Sequence, residues 1–204
     1  MLFRSRKADN PLKLALSFNE LKQYGLALQA GLWAACQDAD LLIYHPGMAL
    51  GYFAAQERDI PSVLGLPFPM TPTRAYPSLI FYEGPRLGGA YNLLTHKILQ
   101  QIFWMTASGN LRDFWKREFG RLPENFGNPF PRQTRASHPT VVSCSPHVFT
   151  QADDFPAHVH HTGFWFLDDE PGWTPPAALT DFLERGPAPV YVGFGSIGDP
   201  KQAA

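Results

Sequence analysis

The sequence predicts an α/β fold in which helices flank a parallel β-sheet. A short continuous apolar run at residues 41–44 and a second predicted strand at residues 61–66 enclose a helical segment at residues 48–57. Runs that are apolar on both faces are typical of strands buried in parallel sheets, and a strand, helix, strand order is the unit from which such sheets are built. The chain has 204 residues, of which 45% are apolar and 17% charged, so it can build a core of domain size.

Two further helical regions and a loop complete the first 120 residues. Apolar residues at helical spacing predict a helix over residues 21–35. Residues 67–85 combine prolines with aromatic side chains and are expected to form a packed loop. A helix is predicted over residues 91–106, and a second helical piece over residues 111–120. The apolar face of the first of these two helices consists of Leu94, Ile98, Ile102 and Met105.

Shorter elements are predicted in the remainder of the chain. Residues 123–139 are rich in Pro, Asn and Gly and predict a surface crossover. Strands are expected at residues 140–145 and 159–162. Residues 174–186 begin with a capping Thr and prolines and end in Gly, which predicts a short helix. The side chains of this helix expected to face inward are Leu179, Phe182 and Leu183.

A last strand is predicted at residues 189–194. It is apolar on both faces, yet only ten residues follow it, and they include Gly195, Gly198 and Pro200. An uncovered strand of this kind is a template for pairing with another chain. We therefore expect either an internal fragment of a longer protein or a complementing chain that completes the sheet.

Charge and cysteine content exclude several classes of protein. The net charge is -1, so no basic field exists to attract nucleic acid. Cys36 and Cys144 are too few for a disulfide framework or a thiolate metal site, which favours a reducing compartment and a cytoplasmic protein. The sequence does not predict a secretory signal, and no apolar window reaches transmembrane length without a charge.

One glycine-rich turn can bind phosphate. Residues 193–198 read GFGSIG directly after a predicted strand, which matches the pattern whose backbone amides approach a diphosphate. The match alone leaves three interpretations open: a phosphate-facing turn, a plain tight turn and a nicotinamide dinucleotide site. The last also needs a following helix and an acidic residue about 20 positions on, and the sequence ends before either.

Other candidate sites each have an ordinary structural explanation. His158 and His160 share a strand face and could hold a metal, although no third ligand is near in sequence, so we expect no metal site. Acidic residues at 153–154 and 168–170 are typical of a solvated rim rather than of paired catalytic acids. The aromatic loop predicts either an apolar ligand pocket or core packing. The candidate pocket residues are Phe68, Met70, Thr73 and Tyr76.

Five ordered stretches together resemble the UDP-sugar-dependent glycosyltransferases built from two Rossmann domains, the GT-B type. The resemblance is strongest to sterol glucosyltransferases and their bacterial relatives, and it extends over about residues 21–200. The stretches are DADLLIYHPGM at 38–48, IPSVLGLP at 60–67, TRAYP at 73–77, HTGFWFLD at 161–168 and PVYVGFGS at 189–196.

The resemblance implies a domain organisation. Residues 1–170 would be part of an acceptor-binding N-terminal domain, residues 171–188 an interdomain linker with a short helix, and residues 189–204 the start of a nucleotide-sugar domain. Gly195 and Ser196 would then face the donor diphosphate. The family's catalytic base lies in an N-terminal glycine-rich loop that has no counterpart before Leu21, so no catalytic residue is assigned. Where many relatives have an acid that partners this base, this chain has His45.

The implied reaction is the inverting transfer of a hexose, expected to be glucose, from a UDP-sugar to a hydroxyl of a sterol-like or other apolar acceptor. The UDP-sugar is a co-substrate, and no separate cofactor or metal is implied. A sterol-like acceptor would have to be drawn from a membrane, which adds peripheral membrane contact to the expected partners. We expect the chain to be inactive alone. The alternative is a non-catalytic module that binds an apolar small molecule or a partner chain.

Overall fold

The computed structural model describes residues 24–167 and 172–192. These residues form two compact units. The first covers residues 24–164 and contains the sheet, and the second covers residues 165–167 and 172–192. Gly195, Ser196, the acidic residues 168–170 and the start of the helix predicted over residues 21–35 lie outside the described residues. The domain boundaries implied by the resemblance stay a prediction.

Four parallel strands form the described sheet, in the order β1-β2-β3-β4. Leu42 pairs with Ser62, Leu64 with Thr140, and Thr140 with Val159. The α/β fold with a parallel sheet is therefore confirmed, with strands one to three residues shorter than predicted. The strands are β1 at Leu42–Tyr44, β2 at Ser62–Leu66, β3 at Thr140–Val142 and β4 at Val159–His161.

β1 was predicted to be buried on both faces, but the side chain of Ile43 is 59% exposed. β1 has a single neighbour among the described strands, because β2 lies on one side of it. The exposure of Ile43 follows from the position of β1 at the edge of the described sheet. Apolar composition indicates that a residue prefers burial, but not that the structure provides it.

The helices of the first unit lie before β1 and between the strands. α2 packs against β1 and β2, and α1 packs against both α2 and α3. A short 3₁₀ turn, Leu79–Phe81, interrupts the loop between β2 and α3, which confirms an irregular but packed segment there. The helices are α1 at Gly25–Ala35, α2 at Leu50–Arg58, α3 at Gly89–Phe119 and α4 at Phe130–Arg135, with α5 at Ala177–Glu184 in the second unit.

Prediction and structure differ most in α3. The two helical pieces are one continuous helix of 31 residues, which ends where Gly120 takes a left-handed conformation with φ 68. The face predicted to point inward is the exposed one, with Leu94 at 53% and Met105 at 65% exposure. In the first half of α3 most of the buried side chains are polar, for a reason that the neighbouring loop supplies below, whereas the second half buries Leu111, Phe114 and Trp115.

Other predicted faces and elements also need correction. Residues 123–139 were expected to be an irregular crossover, but six of them, Phe130–Arg135, form α4, which Phe130 anchors in the core. In α5 the three side chains expected to face inward are exposed, Phe182 by 62%. Of the strand predicted at residues 189–194, residues 189–192 form no strand and Tyr191 is 92% exposed, while residues 193–194 lie outside the described residues. The apolar residues from which the helix over residues 21–35 was predicted include Leu28, but in α1 Leu28 is exposed and the buried side chain is that of Gln29.

An aromatic cluster joins α1, α2 and α3. Trp115 is fully buried, and its ring centroid lies 5.8 Å from that of Trp33, 6.4 Å from Phe53 and 5.0 Å from Phe119. Offset and edge-to-face pairs at such distances add to the free energy of burial. The cluster fixes the position of α3, and α3 in turn positions the loop that follows β2.

Candidate functional site

The candidate site is the loop of residues 67–78, which leaves the carboxyl end of β2. In open parallel sheets ligands bind outside the carboxyl ends of the strands. His45 follows the carboxyl end of β1, and the 150–156 segment comes after β3, so the loop has neighbours that come from both adjacent strands.

Asp154 ties this loop to the segment between β3 and β4. The Thr73 hydroxyl donates a hydrogen bond to the Asp154 carboxylate, and the backbone N–H of Arg74 donates to its other oxygen at 2.7 Å. The backbone N–H of Ala75 in turn donates to the Thr73 oxygen at 3.0 Å. These hydrogen bonds lower the pKa of Asp154 below its usual value, the one from the Thr73 hydroxyl most and the one from the Arg74 backbone N–H next. The carboxylate therefore stays ionised and holds the loop. Asp154 is also exposed, as the solvated rim predicted for it requires.

Polar side chains of α3 hold the same loop from the other side. Asn92 donates to the carbonyl of Arg74 at 2.8 Å. The backbone N–H of Ser78 donates to the Thr95 hydroxyl at 2.8 Å, and the Ser78 hydroxyl donates to the Thr95 carbonyl at 3.0 Å. Because a loop without strand or helix bonds leaves backbone groups to be satisfied, α3 presents its polar face to the loop. This explains why its apolar face points outward.

His96 lies at the centre of this contact and is fully buried. Its Nε2 lies 3.1 Å from the carbonyl oxygen of Tyr76, so that nitrogen carries the proton and donates it. Burial lowers the pKa of His96 and keeps the ring neutral, and among the described residues its Nδ1 has no partner. His96 acts on the loop as an uncharged hydrogen-bond donor.

Tyr76 is held in place by its hydroxyl and by its backbone. The hydroxyl donates to the carbonyl of Thr150 at 3.4 Å, and the ring centroid lies 6.1 Å from that of His96. Burial, with smaller contributions from Asp154 and Tyr82, raises the pKa of Tyr76 to about 12. The phenol is therefore neutral at physiological pH.

A small cavity of about 80 Å³ lies against β2, β3 and β4. Gln133 reaches it from α4, and the side-chain oxygen of Gln133 is buried with no hydrogen-bond donor among the described residues. The lining is otherwise mainly apolar. Its members include Leu64, Leu66, Met70, Thr140, His158 and Val159.

The structure brings the four predicted pocket residues into one loop but not into one cavity. Met70 is 1% exposed and lines the cavity, and Phe68 is half-buried against the core. Thr73 is wholly buried and Tyr76 half-buried, and both anchor the loop through the bonds described above. Sequence reasoning missed the anchoring roles of Asp154 and of the polar face of α3. A polar residue at every third or fourth position of α3 was the available signal for the latter.

His45 occupies the turn after β1. Its Nδ1 accepts a hydrogen bond from the backbone N–H of Gly47 at 3.0 Å, and its ring centroid lies 6.5 Å from that of Phe103. Burial lowers the pKa of His45. In the neutral ring the proton therefore sits on Nε2, which makes this side chain a donor at the edge of the sheet.

Two further histidines, His158 and His161, lie in different surroundings. His158 lines the cavity, and His161 stacks on Phe155 with ring centroids 5.6 Å apart. In the described part of the chain, no three His, Cys, Asp or Glu side chains lie close enough together to hold a metal ion. No helix in that part is long and apolar enough to cross a membrane.

Comparison with known proteins identifies homologues for most of the chain. It is 37% identical over 174 residues to the sterol 3-beta-glucosyltransferase of Emericella nidulans, 38% over 178 residues to that of Komagataella phaffii and 38% over 170 residues to that of Leptosphaeria maculans. The matches cover 81% to 83% of this chain but only 11% to 14% of those proteins. No protein-family model matches. The chain is therefore homologous to a short segment of the sterol 3-beta-glucosyltransferases.

Proposed function

We propose that this chain is the acceptor-side segment of a glucosyltransferase that moves glucose from UDP-glucose to the hydroxyl of a sterol-like acceptor. The observation that carries the proposal is the 37% identity, over 83% of the chain, to a sterol 3-beta-glucosyltransferase. The chain spans about an eighth of that relative, 12% of its length, so the complete reaction is proposed for a longer assembly.

The reaction divides into an acceptor half and a donor half. The acceptor hydroxyl must lose a proton to a general base as it attacks the sugar, and the departing diphosphate needs hydrogen-bond donors or cations. For the donor half we assign Gly195 and Ser196, whose amide and hydroxyl would face the diphosphate. Neither His45 nor His96 is assigned as the base. The neutral His45 ring presents Nε2–H, and His96 is enclosed.

For the acceptor half we assign the loop of residues 67–78. The half-buried Phe68 supplies apolar contact area and the buried Met70 lines the small cavity behind it, whereas Thr73 and Tyr76 fix the shape of the loop through Asp154 and Thr150. A loop that is held before the ligand arrives loses less conformational entropy on binding. Anchoring from both α3 and the 150–156 segment supports this role. It implies that changes in the apolar residues alter affinity for the acceptor, while changes in the anchors alter stability.

A chimera tests the proposal. The matching segment of the Komagataella phaffii enzyme is replaced by the corresponding residues of this chain, and transfer from UDP-glucose to a sterol is measured. We expect transfer by the chimera and none by the 204-residue chain alone. A chimera that folds and binds UDP-glucose like its parent, yet transfers nothing, would refute the assignment.

A substitution within the chimera locates the acceptor contact. Phe68→Ala is expected to raise the KM for the sterol about tenfold, the loss of roughly 1.5 kcal/mol of apolar burial, without changing the KM for UDP-glucose. Phe81→Ala is the matched control, because Phe81 is also half-buried but lies in the 3₁₀ turn. If both substitutions act alike, residues 67–78 are not the acceptor loop. If the isolated chain binds sterol while the chimera is inactive, the non-catalytic alternative holds.

A further inference from the structure

The cavity of about 80 Å³ behind the loop of residues 67–78 has an apolar floor and an open rim. The floor side chains come from β2, β4, α4 and the loop, and none is more than 6% exposed. At the rim, Thr134 is exposed, and Pro72 and His158 are half-buried, so a small molecule can enter from solvent. The floor residues are Leu64, Leu66, Met70, Phe130 and Val159.

Gln133 brings an unsatisfied polar atom to this cavity. Its side chain is 4% exposed and reaches the cavity from α4. The amide N–H of Gln133 donates to the hydroxyl of Tyr44, which fixes the side chain, whereas the amide oxygen is buried and accepts no hydrogen bond within the described part of the chain. A buried acceptor without a donor costs free energy. An occupant that donates a hydrogen bond would remove this cost.

Two further polar side chains of the lining already have partners. The Thr140 hydroxyl donates to the carbonyl of His138 at 3.1 Å, and the Gln100 amide N–H donates to the carbonyl of Met70 at 3.4 Å. A buried water makes about three hydrogen bonds, and wholly apolar cavities stay dry. A mainly apolar lining with one unpartnered oxygen is better matched by a molecule that has an apolar body and a single hydroxyl.

Volume and charge limit what the cavity can hold. A cavity of about 150 Å³ holds benzene, so a cavity of about 80 Å³ holds a molecule of roughly three or four non-hydrogen atoms. A sterol ring system is far larger, so this site is separate from the acceptor contact proposed above. The lining that the structure describes contains no Asp, Glu, Lys or Arg, so a charged ligand would be buried without compensation.

We propose that this cavity is a binding site for a small neutral alcohol. The alcohol hydroxyl donates to Oε1 of Gln133, and the carbon atoms pack against Leu66, Met70 and Val159. Because Met70 belongs to the loop of residues 67–78, the occupant contacts that loop as well as the sheet. The inference rests on the cavity alone and does not require that the chain take part in sugar transfer.

Methyl NMR of the 204-residue chain tests the site with 2-propanol as the probe. With ¹³C-methyl methionine, Met70 reports on the cavity and the 65% exposed Met105 is the internal control, and Met70→Leu identifies the first signal. We expect the Met70 signal to shift and to saturate in the millimolar range, as befits so small a ligand, without a saturating shift at Met105. Acetone has the same carbon skeleton but no donor, and it should bind at least about tenfold more weakly.

Two variants separate the cavity from the amide oxygen. Val159→Ile adds a methylene where the alcohol would lie, so it should weaken binding of 2-propanol at least about tenfold without lowering the melting temperature. Val141→Ile is the matched control and should leave binding unchanged, because Val141 lies in β3 with its side chain on the face of the sheet opposite to that of Thr140. Gln133→Met should abolish the preference for 2-propanol over acetone.

Four results would overturn the proposal. They are a Met70 signal that does not shift or does not saturate, equal affinity of the wild type for 2-propanol and acetone, unchanged binding by Val159→Ile, and a preference for 2-propanol that persists in Gln133→Met. The first would make ordered water the occupant of the cavity. The comparison of 2-propanol with acetone uses the wild type, so it does not depend on the folding of any variant.

Discussion

Replacing Thr73 by Val removes the hydroxyl that joins the candidate acceptor loop to Asp154. The two side chains have nearly the same shape, so the substitution creates no cavity at a position that is wholly buried. It deletes the donor to the Asp154 carboxylate and the acceptor for the backbone N–H of Ala75. The change therefore isolates hydrogen bonding from packing.

The size of the effect follows from these two bonds. A hydrogen bond to a charged group contributes about 1.5–3 kcal/mol, and a neutral one about 1 kcal/mol. Asp154 is exposed, so water competes for its carboxylate and the lower end applies to the first bond. We expect Thr73→Val to lower the free energy of unfolding by about 2 kcal/mol, allowing for partial rehydration of the freed groups.

Urea denaturation at pH 7 measures this loss, provided that the m value stays constant. Thr71→Val is the control, since Thr71 is also a buried threonine of the same loop. A double-mutant cycle with Asp154→Asn separates the coupling between the two side chains from their other contacts.

The pH dependence supplies a second check. The pKa of Asp154 is lowered in the folded protein, so the stabilisation is complete above the unfolded value of about 4 and is lost as the pH falls through the folded value. The difference between wild type and Thr73→Val should accordingly shrink below about pH 4. A change under about 0.5 kcal/mol at pH 7, or a difference independent of pH, would refute the role assigned to this bond.

Three further outcomes are expected. Trp115→Ala should lower the free energy of unfolding by about 3–5 kcal/mol in urea denaturation, and Trp115→Phe by much less, because the indole N–H of Trp115 has no partner among the described residues. Gly120→Ala should destabilise the protein by about 1 kcal/mol, because Gly120 has φ 68 at the end of α3. Gly109→Ala, inside the same helix, should instead raise the melting temperature, since nothing lies within 4 Å of the added carbon and Ala favours helix more than Gly does. The free energy of unfolding should fall as the pH drops below about 6.5, because the histidine is protonated in the unfolded chain while burial keeps His96 neutral in the folded protein. His96→Gln should reduce this pH dependence in denaturation curves measured between about pH 7 and 5, because Gln cannot be protonated but keeps a donor to the Tyr76 carbonyl. Equal curves for His96→Gln and wild type would contradict this assignment, and so would equal effects of the two glycine changes.

The order and type of the elements were largely readable from the sequence. The apolar run at β1 predicted a strand of a parallel sheet because a strand covered on both faces is apolar throughout, and the segments at β2 and β3 were predicted as further strands of that sheet. The five resembling stretches led to sterol glucosyltransferases, and comparison confirmed that homology. These signals are local, since each is carried by a run of neighbouring residues.

The side of α3 that faces the core could not be predicted from the sequence in the same way. Periodicity located the helix and its apolar side, and the usual rule then placed Leu94, Ile98 and Met105 in the core. The rule failed because the loop of residues 67–78 needs hydrogen-bond partners that only the polar side of α3 supplies. Which face of an amphipathic helix is buried depends on what it packs against.

The candidate site shows the same division between sequence and tertiary structure. The sequence by itself determined the composition of the candidate acceptor loop, with Phe68, Met70, Thr73 and Tyr76 close together along the chain. Only the tertiary structure decided that Thr73 meets Asp154, 81 positions away, and that Tyr76 meets His96. Hydrogen bonds between residues distant in sequence leave no periodic trace in it, because their geometry is set by the sheet and helices that bring the two segments together.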